Sequence, residues 1–132
     1  MERFLGRYSE AAYAALRIVA GLMFAVHGAQ KVLGAFGGQK VPLASLFGLA
    51  GLIELIGGIL IAIGLFTGWA AFIASGEMAV AYFKVHAPQG AMPHQNQGEL
   101  AVLYCFVFLY MATRGGGRYS VDASMRRPAA RR

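Results

Sequence analysis

Three glutamates, Glu54, Glu77 and Glu99, stand in or at the mouth of otherwise apolar runs of this chain, and Arg17, His27, Lys84 and His86 join them there. A charged side chain at mid-membrane costs about 3 kcal/mol on insertion scales, so such residues face a protein interior, pair, or line a path for a proton or ligand. Glu54 is the sharpest case. It is the one charge in Leu43–Phe66, a stretch that reaches roughly 36 Å as a helix, against a bilayer core of about 30 Å. Gly51 and Gly58 share its helical face and Gly57 lies alongside, so that face admits close approach of another helix. Two readings of Glu54 stand side by side: a buried structural pair, or a ligand or proton site.

Counting from the end that carries both termini, Arg17 and Glu77 each lie roughly 12 Å deep and Glu54 roughly 18 Å. The expected arrangement is an Arg17–Glu77 ion pair locking two helices, Glu54 just above it, and an outer tier of His27, Gln30, Lys31, Lys84, His86 and Glu99. His27, Gln30 and Lys31 are spaced to share one helix face. Glu99 follows Asn96 at capping-box spacing, which gives it a structural duty beside any role in a site. His86 and His94 read equally as loop residues. Three histidines without cysteine pairs make a poor metal set, and none is assigned. Tyr82, Tyr104 and Tyr110 read as packing and interfacial anchors.

The elements that must position these residues are four apolar helices, expected at about 10–32, 43–66, 69–86 and 98–114. Ser9 is a candidate cap for the first, and breakers separate the others: Gly34, Gly37, Gly38 and Pro42, then Thr67-Gly68, then the polar loop with Pro88 and Pro93. The start resembles a signal peptide at first sight, but Glu2, Glu10 and Arg17 interrupt it and no small-residue cleavage site follows. The fourth helix is the shortest, its unbroken apolar run covering Leu100–Ala112. Gly115–Gly117 stop it, and residues 115–132 read as a basic, mobile tail. The fold class is therefore all-α, an integral membrane four-helix antiparallel bundle.

Composition agrees. Of 132 residues 58% are apolar and 14% charged, against about 45–50% and 25% in soluble domains. The single cysteine, Cys105, excludes an intrachain disulfide and a self-contained dithiol relay. The net charge of +6 gathers at the ends, in Arg3, Arg7, Arg114, Arg118, Arg126, Arg127, Arg131 and Arg132, while Lys31, Lys40 and Lys84 lie near the other face. By the positive-inside rule both termini are cytoplasmic, in a bacterial inner membrane. Arginines beside apolar spans set topology or touch anionic lipid, so the bilayer, not nucleic acid, is the expected partner.

The stretches LRIVAGLMFAVHGAQKV, ELIGGILIAIGLFTGWAA, AVAYFKVHAPQG and NQGELAVLYCFVFLYMATRGGGRYSVD, in that order, resemble the DoxX family of small four-helix membrane proteins over about residues 14–122. One departure is visible: the family pattern Asn-Gly-Gly-Glu is Asn96-Gln97-Gly98-Glu99 here. The resemblance implies a link to quinone-coupled sulfur oxidation, as a subunit of a thiosulfate:quinone oxidoreductase, and to membrane complexes resisting oxidative and thiol stress. The matching polar positions are His27, Gln30, Lys31, Glu54, Lys84, His86, Asn96 and Glu99. They form the candidate ligand site, with a quinone as the implied cofactor and a soluble or membrane oxidoreductase, or a second copy of the chain, as implied partners. No catalytic residue is assigned.

Three functions fit these residues. The first is a redox-associated membrane protein with a quinone or similar small ligand between its helices. The second is a non-catalytic scaffold or lipid-binding module using the basic tail. The third is a small proton-coupled carrier, which would require oligomerisation because no inverted repeat is evident.

Overall fold

The computed structural model describes residues 1–130, with side chains through Arg126. Arg131, Arg132 and the side chain of Arg127, which enter the charge balance above, lie outside the described residues. Among those described there is no strand. Helix α1 (Glu2–Leu5) runs through one 3₁₀ turn, Gly6–Tyr8, into α2 (Ser9–Leu33). Ser9 does not cap α2, since its side chain makes no capping bond. The helical path simply continues through it.

Helix α2 ends at Gly34 in the left-handed conformation, φ 68°, where glycine carries no Cβ penalty. Helix α3 (Leu46–Ile63) starts three residues later than expected because Ser45 caps it, its hydroxyl accepting from the Gly48 N–H at 3.0 Å. It stops at Gly64, φ 74°, and after a short turn α4 begins (Thr67–Ala81). Helix α4 passes into a π-helical turn, Tyr82–His86, and a 3₁₀ turn at Ala87–Gln89. A single-turn α5 (Pro93–Asn96) precedes α6 (Glu99–Arg114), and α7 (Val121–Ala130) closes the described chain. Two of these rods, Glu2–Leu33 and Leu46–Ile63, are long and apolar enough to cross a membrane.

Helix α2 packs on α3, α3 on α4, and α4 on α6. The α2–α3 contact is glycine-mediated and antiparallel: Gly21 meets Gly58 and Ala62, while Gly28 meets Gly51 and Leu55. A Cβ on Gly58 would lie 2.5 Å from the backbone of Gly21 and Ala25, closer than any real packing allows. Phe24 of α2 reaches the α6 rings of Tyr104 and Phe108, with centroids 5.4 and 4.8 Å away, and these three form the aromatic centre of the core.

The segment after α6 is not the mobile tail the sequence suggests; residues 115–122 fold back onto the end of the molecule that carries the N-terminus. The Tyr13 hydroxyl donates to the Gly115 carbonyl at 2.6 Å. Glu10 pairs with Arg114 at 3.0 Å and accepts from the Arg118 N–H. Asp122 accepts from the Phe66 N–H, the Thr67 N–H and the Thr67 hydroxyl at 2.9–3.0 Å. It thus caps α4 from a distant part of the chain, since Phe66 itself offers no capping side chain.

Candidate functional site

The N-terminal half of α3 and the C-terminal half of α4, remote from their tight connection, stand apart and enclose a cavity of about 680 Å³ together with α2 and α6. Small-molecule pockets span about 300–1,000 Å³. Its walls are mostly aliphatic, and its polar groups are few: His27, Lys31, Glu54, Glu77, Lys84, His86, Gln97 and Tyr104.

Glu54 is 1% exposed and lines this cavity. Lys31 Nζ donates to both carboxylate oxygens, at 2.8 and 2.7 Å, while the Lys31 side chain stays about a third exposed. The geometry follows from helix direction. Side chains lean toward the N-terminus of their own helix, so in the antiparallel α2–α3 pair Lys31 leans down and Glu54 leans up until they meet. A buried carboxylate held by one ammonium in two bonds is fully countered.

Glu77 lines the same cavity as Glu54, and its Oε1 is buried with no hydrogen-bond partner among the described residues. The Tyr104 hydroxyl is in the same condition: the residue is 6% exposed, and its Oη has no partner. Buried polar atoms are nearly always satisfied, and each exception calls for an explanation. The rings of His27 and Tyr104 stand edge to face with centroids 6.4 Å apart.

The expected Arg17–Glu77 pair is not formed. Arg17, 1% exposed, sends its guanidinium to four carbonyls: Ile61 and Ala62 at the end of α3, and Gly116 and Tyr119 in the returning segment, at 2.7–3.2 Å. The last carbonyls of a helix have no partners within it, and a planar five-donor fork suits several at once. Nor do the two share a level: Arg17 reaches the last turn of α3, while Glu77 lines the cavity with Glu54, about two helical turns nearer the start of α3.

Of the eight positions proposed for a ligand, five line the cavity: His27, Lys31, Glu54, Lys84 and His86. The other three are elsewhere. Gln30 donates to the Phe36 carbonyl at 3.1 Å and closes the loop after α2. Asn96 is buried in the outer loop, donating to the Tyr82 hydroxyl and the Gly90 carbonyl and accepting from the Gly98 N–H. Glu99 is exposed on a shallow outer face beside Pro93 and Leu103. The capping box is not made: Gly98 is the N-cap of α6 and no side chain caps it. His94 is exposed, and among the described residues no three His, Cys, Asp or Glu side chains converge on a metal position.

Sequence reasoning assigned Glu77 to a different duty and Tyr104 to packing, and neither was seen as part of the site. The signal for Glu77 was its neighbour Gly76, where an added Cβ would meet nothing within 4 Å. Gly76 itself lines the cavity, and its missing side chain leaves that part of the α4 wall open. Gln97, where the family pattern has glycine, adopts the left-handed conformation at φ 60°, ψ 25°, a backbone state that glycine takes without strain.

The family profile described as DoxX matches residues 12–87. An uncharacterized protein of Haemophilus influenzae (strain ATCC 51907 / DSM 11121 / KW20 / Rd) is 43% identical over 125 residues, covering 89% of this chain and 93% of that protein. No solved structure matches. The chain belongs to the DoxX family, a membrane-associated family.

Proposed function

We propose that this DoxX protein is a redox-associated protein of a bacterial inner membrane that binds a quinone or similar small ligand in the cavity between α3 and α4. In this reading α2, α3, α4 with its π turn, and α6 cross the bilayer as an antiparallel four-helix bundle. Two apolar rods support it, as does the path Thr67–His86, roughly 30 Å long at helical rise. In this reading the arginines before α2 and after α6 mark that end of the bundle as the cytoplasmic one.

The observation that carries the proposal is a largely apolar cavity with two unsatisfied buried polar atoms, Glu77 Oε1 and Tyr104 Oη, beside a closed Lys31–Glu54 pair. A quinone ring needs apolar walls and a few hydrogen-bond partners, and these residues offer both. His27, Lys31, Glu54 and Glu77 also bring proton-exchanging groups to the lining of the cavity. The test is quinone-linked electron transfer in membranes carrying wild-type protein or Glu54→Gln. A lower rate with the variant is expected; unchanged turnover, together with purified protein that carries no quinone, overturns the proposal.

A second reading, a scaffold for partner enzymes, draws on the exposed arginines of the folded-back segment, Arg118 and Arg126. Deleting residues 115–132 would not test it cleanly, because Gly116, Tyr119 and Asp122 hold the fold. The charge-reversal pair Arg118→Glu and Arg126→Glu leaves those contacts in place, and loss of co-purifying proteins from it would favour the scaffold.

A further inference from the structure

We infer that the outer end of the cavity binds an oxyanion, the phosphate or carboxylate head of an amphiphile whose apolar part lies between the helices. Lys84, His86 and Gln97 receive that head. The inference rests on the proposed cavity and goes beyond the quinone reading to a second class of ligand.

The rim is built where the π turn Tyr82–His86 meets the residues just before α6. His86 comes nine residues after Glu77, about two and a half turns of an α-helix, which would set the two on opposite faces. In the π turn each backbone bond closes one residue later, so side chains advance by less per residue and His86 swings back toward the Glu77 face. Both residues line the cavity. Two bonds fix the rim. His86 Nδ1 lies 3.1 Å from the Asn96 carbonyl, and the Asn96 side-chain amide donates to the Tyr82 hydroxyl at 3.1 Å. A carbonyl only accepts, so Nδ1 carries the hydrogen, and Nε2 is the unspent ring nitrogen, a second donor once the ring is protonated. The next residue, Gln97, is exposed and lines the cavity beside this mount.

The sign of the head follows from what is left unpaired. Among the described residues the ion pairs are Lys31–Glu54 and Glu10–Arg114. Lys84 is exposed, lines the cavity and has no acid bound to it. Glu54 is already countered by Lys31, and Glu77 stands seven residues before Lys84, roughly 10 Å deeper along the helix. The carboxyls of the lining therefore lie inward, while its outer end offers an ammonium, an imidazole and an amide. A charged acceptor there takes a charge-assisted bond from Lys84 and a further one from the Gln97 amide. The remaining walls are mostly aliphatic, so the rest of the ligand is apolar.

The test compares three probes with one chain and different heads: dodecyl phosphate, dodecanol and dodecyltrimethylammonium. Their binding to the full chain in a maltoside detergent is read by native mass spectrometry. Wild type should bind the phosphate about tenfold tighter than the alcohol, the size of one charge-assisted contact, and the ammonium most weakly. Lys84→Gln should bring the phosphate down to the level of the alcohol, and Lys84→Glu should make the ammonium the tightest of the three. Lys84 is exposed, so both variants should melt with wild type. Equal binding of phosphate and alcohol by wild type, or the wild-type order kept in folded Lys84→Glu, overturns the inference and leaves the cavity reading standing. Displacement of dodecyl phosphate by an equal concentration of inorganic phosphate also overturns it, since the apolar part would then contribute nothing. Unchanged binding of all three probes to folded Gly76→Leu, whose side chain occupies the open α4 wall, overturns the inference and the cavity reading together.

Discussion

At the residue scale, the central fact is that one ammonium and two carboxyls share a floor, and the ammonium is fully used by one of them. Removing Lys31 alone leaves the Glu54 carboxylate buried and uncountered, which costs about 3 kcal/mol, whereas replacing both partners with apolar groups of similar size is close to neutral. Lys31→Met should therefore lower the unfolding temperature in detergent markedly, and Lys31→Met with Glu54→Met should recover most of the loss. Equal damage from the single and double replacements would contradict the pairing. Gln97→Gly should stabilise by about 1 kcal/mol by relieving the left-handed conformation, measured in the same melt. Much of this floor was legible in the sequence, because an isolated carboxylate in an apolar run must be answered by something. Its partner was not legible as such: Lys31 was placed in an outer tier above Glu54, and only the lean of long side chains on antiparallel helices joins the two. Glu77 and Tyr104 were hidden for a different reason. An unsatisfied atom is defined by what fails to surround it, and a sequence does not record that.

At the scale of elements, the glycine ladder between α2 and α3 sets how closely the Lys31 and Glu54 backbones approach. Gly58→Ala would force the helices apart and should cost about 1–3 kcal/mol. Gly57→Ala, whose new methyl meets no neighbouring element within 4 Å, should be neutral or stabilising by up to about 1 kcal/mol. A thermal shift of similar size and sign in both variants would argue against close packing through Gly58. Helix positions were largely readable from apolar runs and breakers, with the start of α3 displaced by the Ser45 cap and α4 passing into a π turn. Depth counting matched Arg17 with Glu77, but Arg17 reaches the last turn of α3 and Glu77 lines the cavity at its first half, because a residue count ignores how far a long side chain leans along its helix.

At the scale of the whole molecule, the segment after α6 closes the N-terminal end of the helices through Arg17 and Asp122, a role that its Gly-rich, basic composition did not reveal. Burial alone would raise the Asp122 carboxyl, but the N–H groups of Thr67 and Phe66, the Thr67 hydroxyl and the charge of Arg126 outweigh it and hold the group below its ordinary value of 3.8. A depressed folded value means the stabilisation is present above about pH 4 and is lost as pH falls through the folded value. Limited proteolysis of residues 115–126 should thus be slow at neutral pH and accelerate only below about pH 4, while Asp122→Asn should be cleaved faster at neutral pH. Identical cleavage of wild type and variant would remove Asp122 from the clamp. The most direct test of the account as a whole is the quinone content of an organic extract of protein purified from its native membrane, for wild type and Gly76→Leu. The account predicts close to one molecule per wild-type chain and a several-fold lower content in folded Gly76→Leu; no quinone in wild type, or equal content in both, would contradict it.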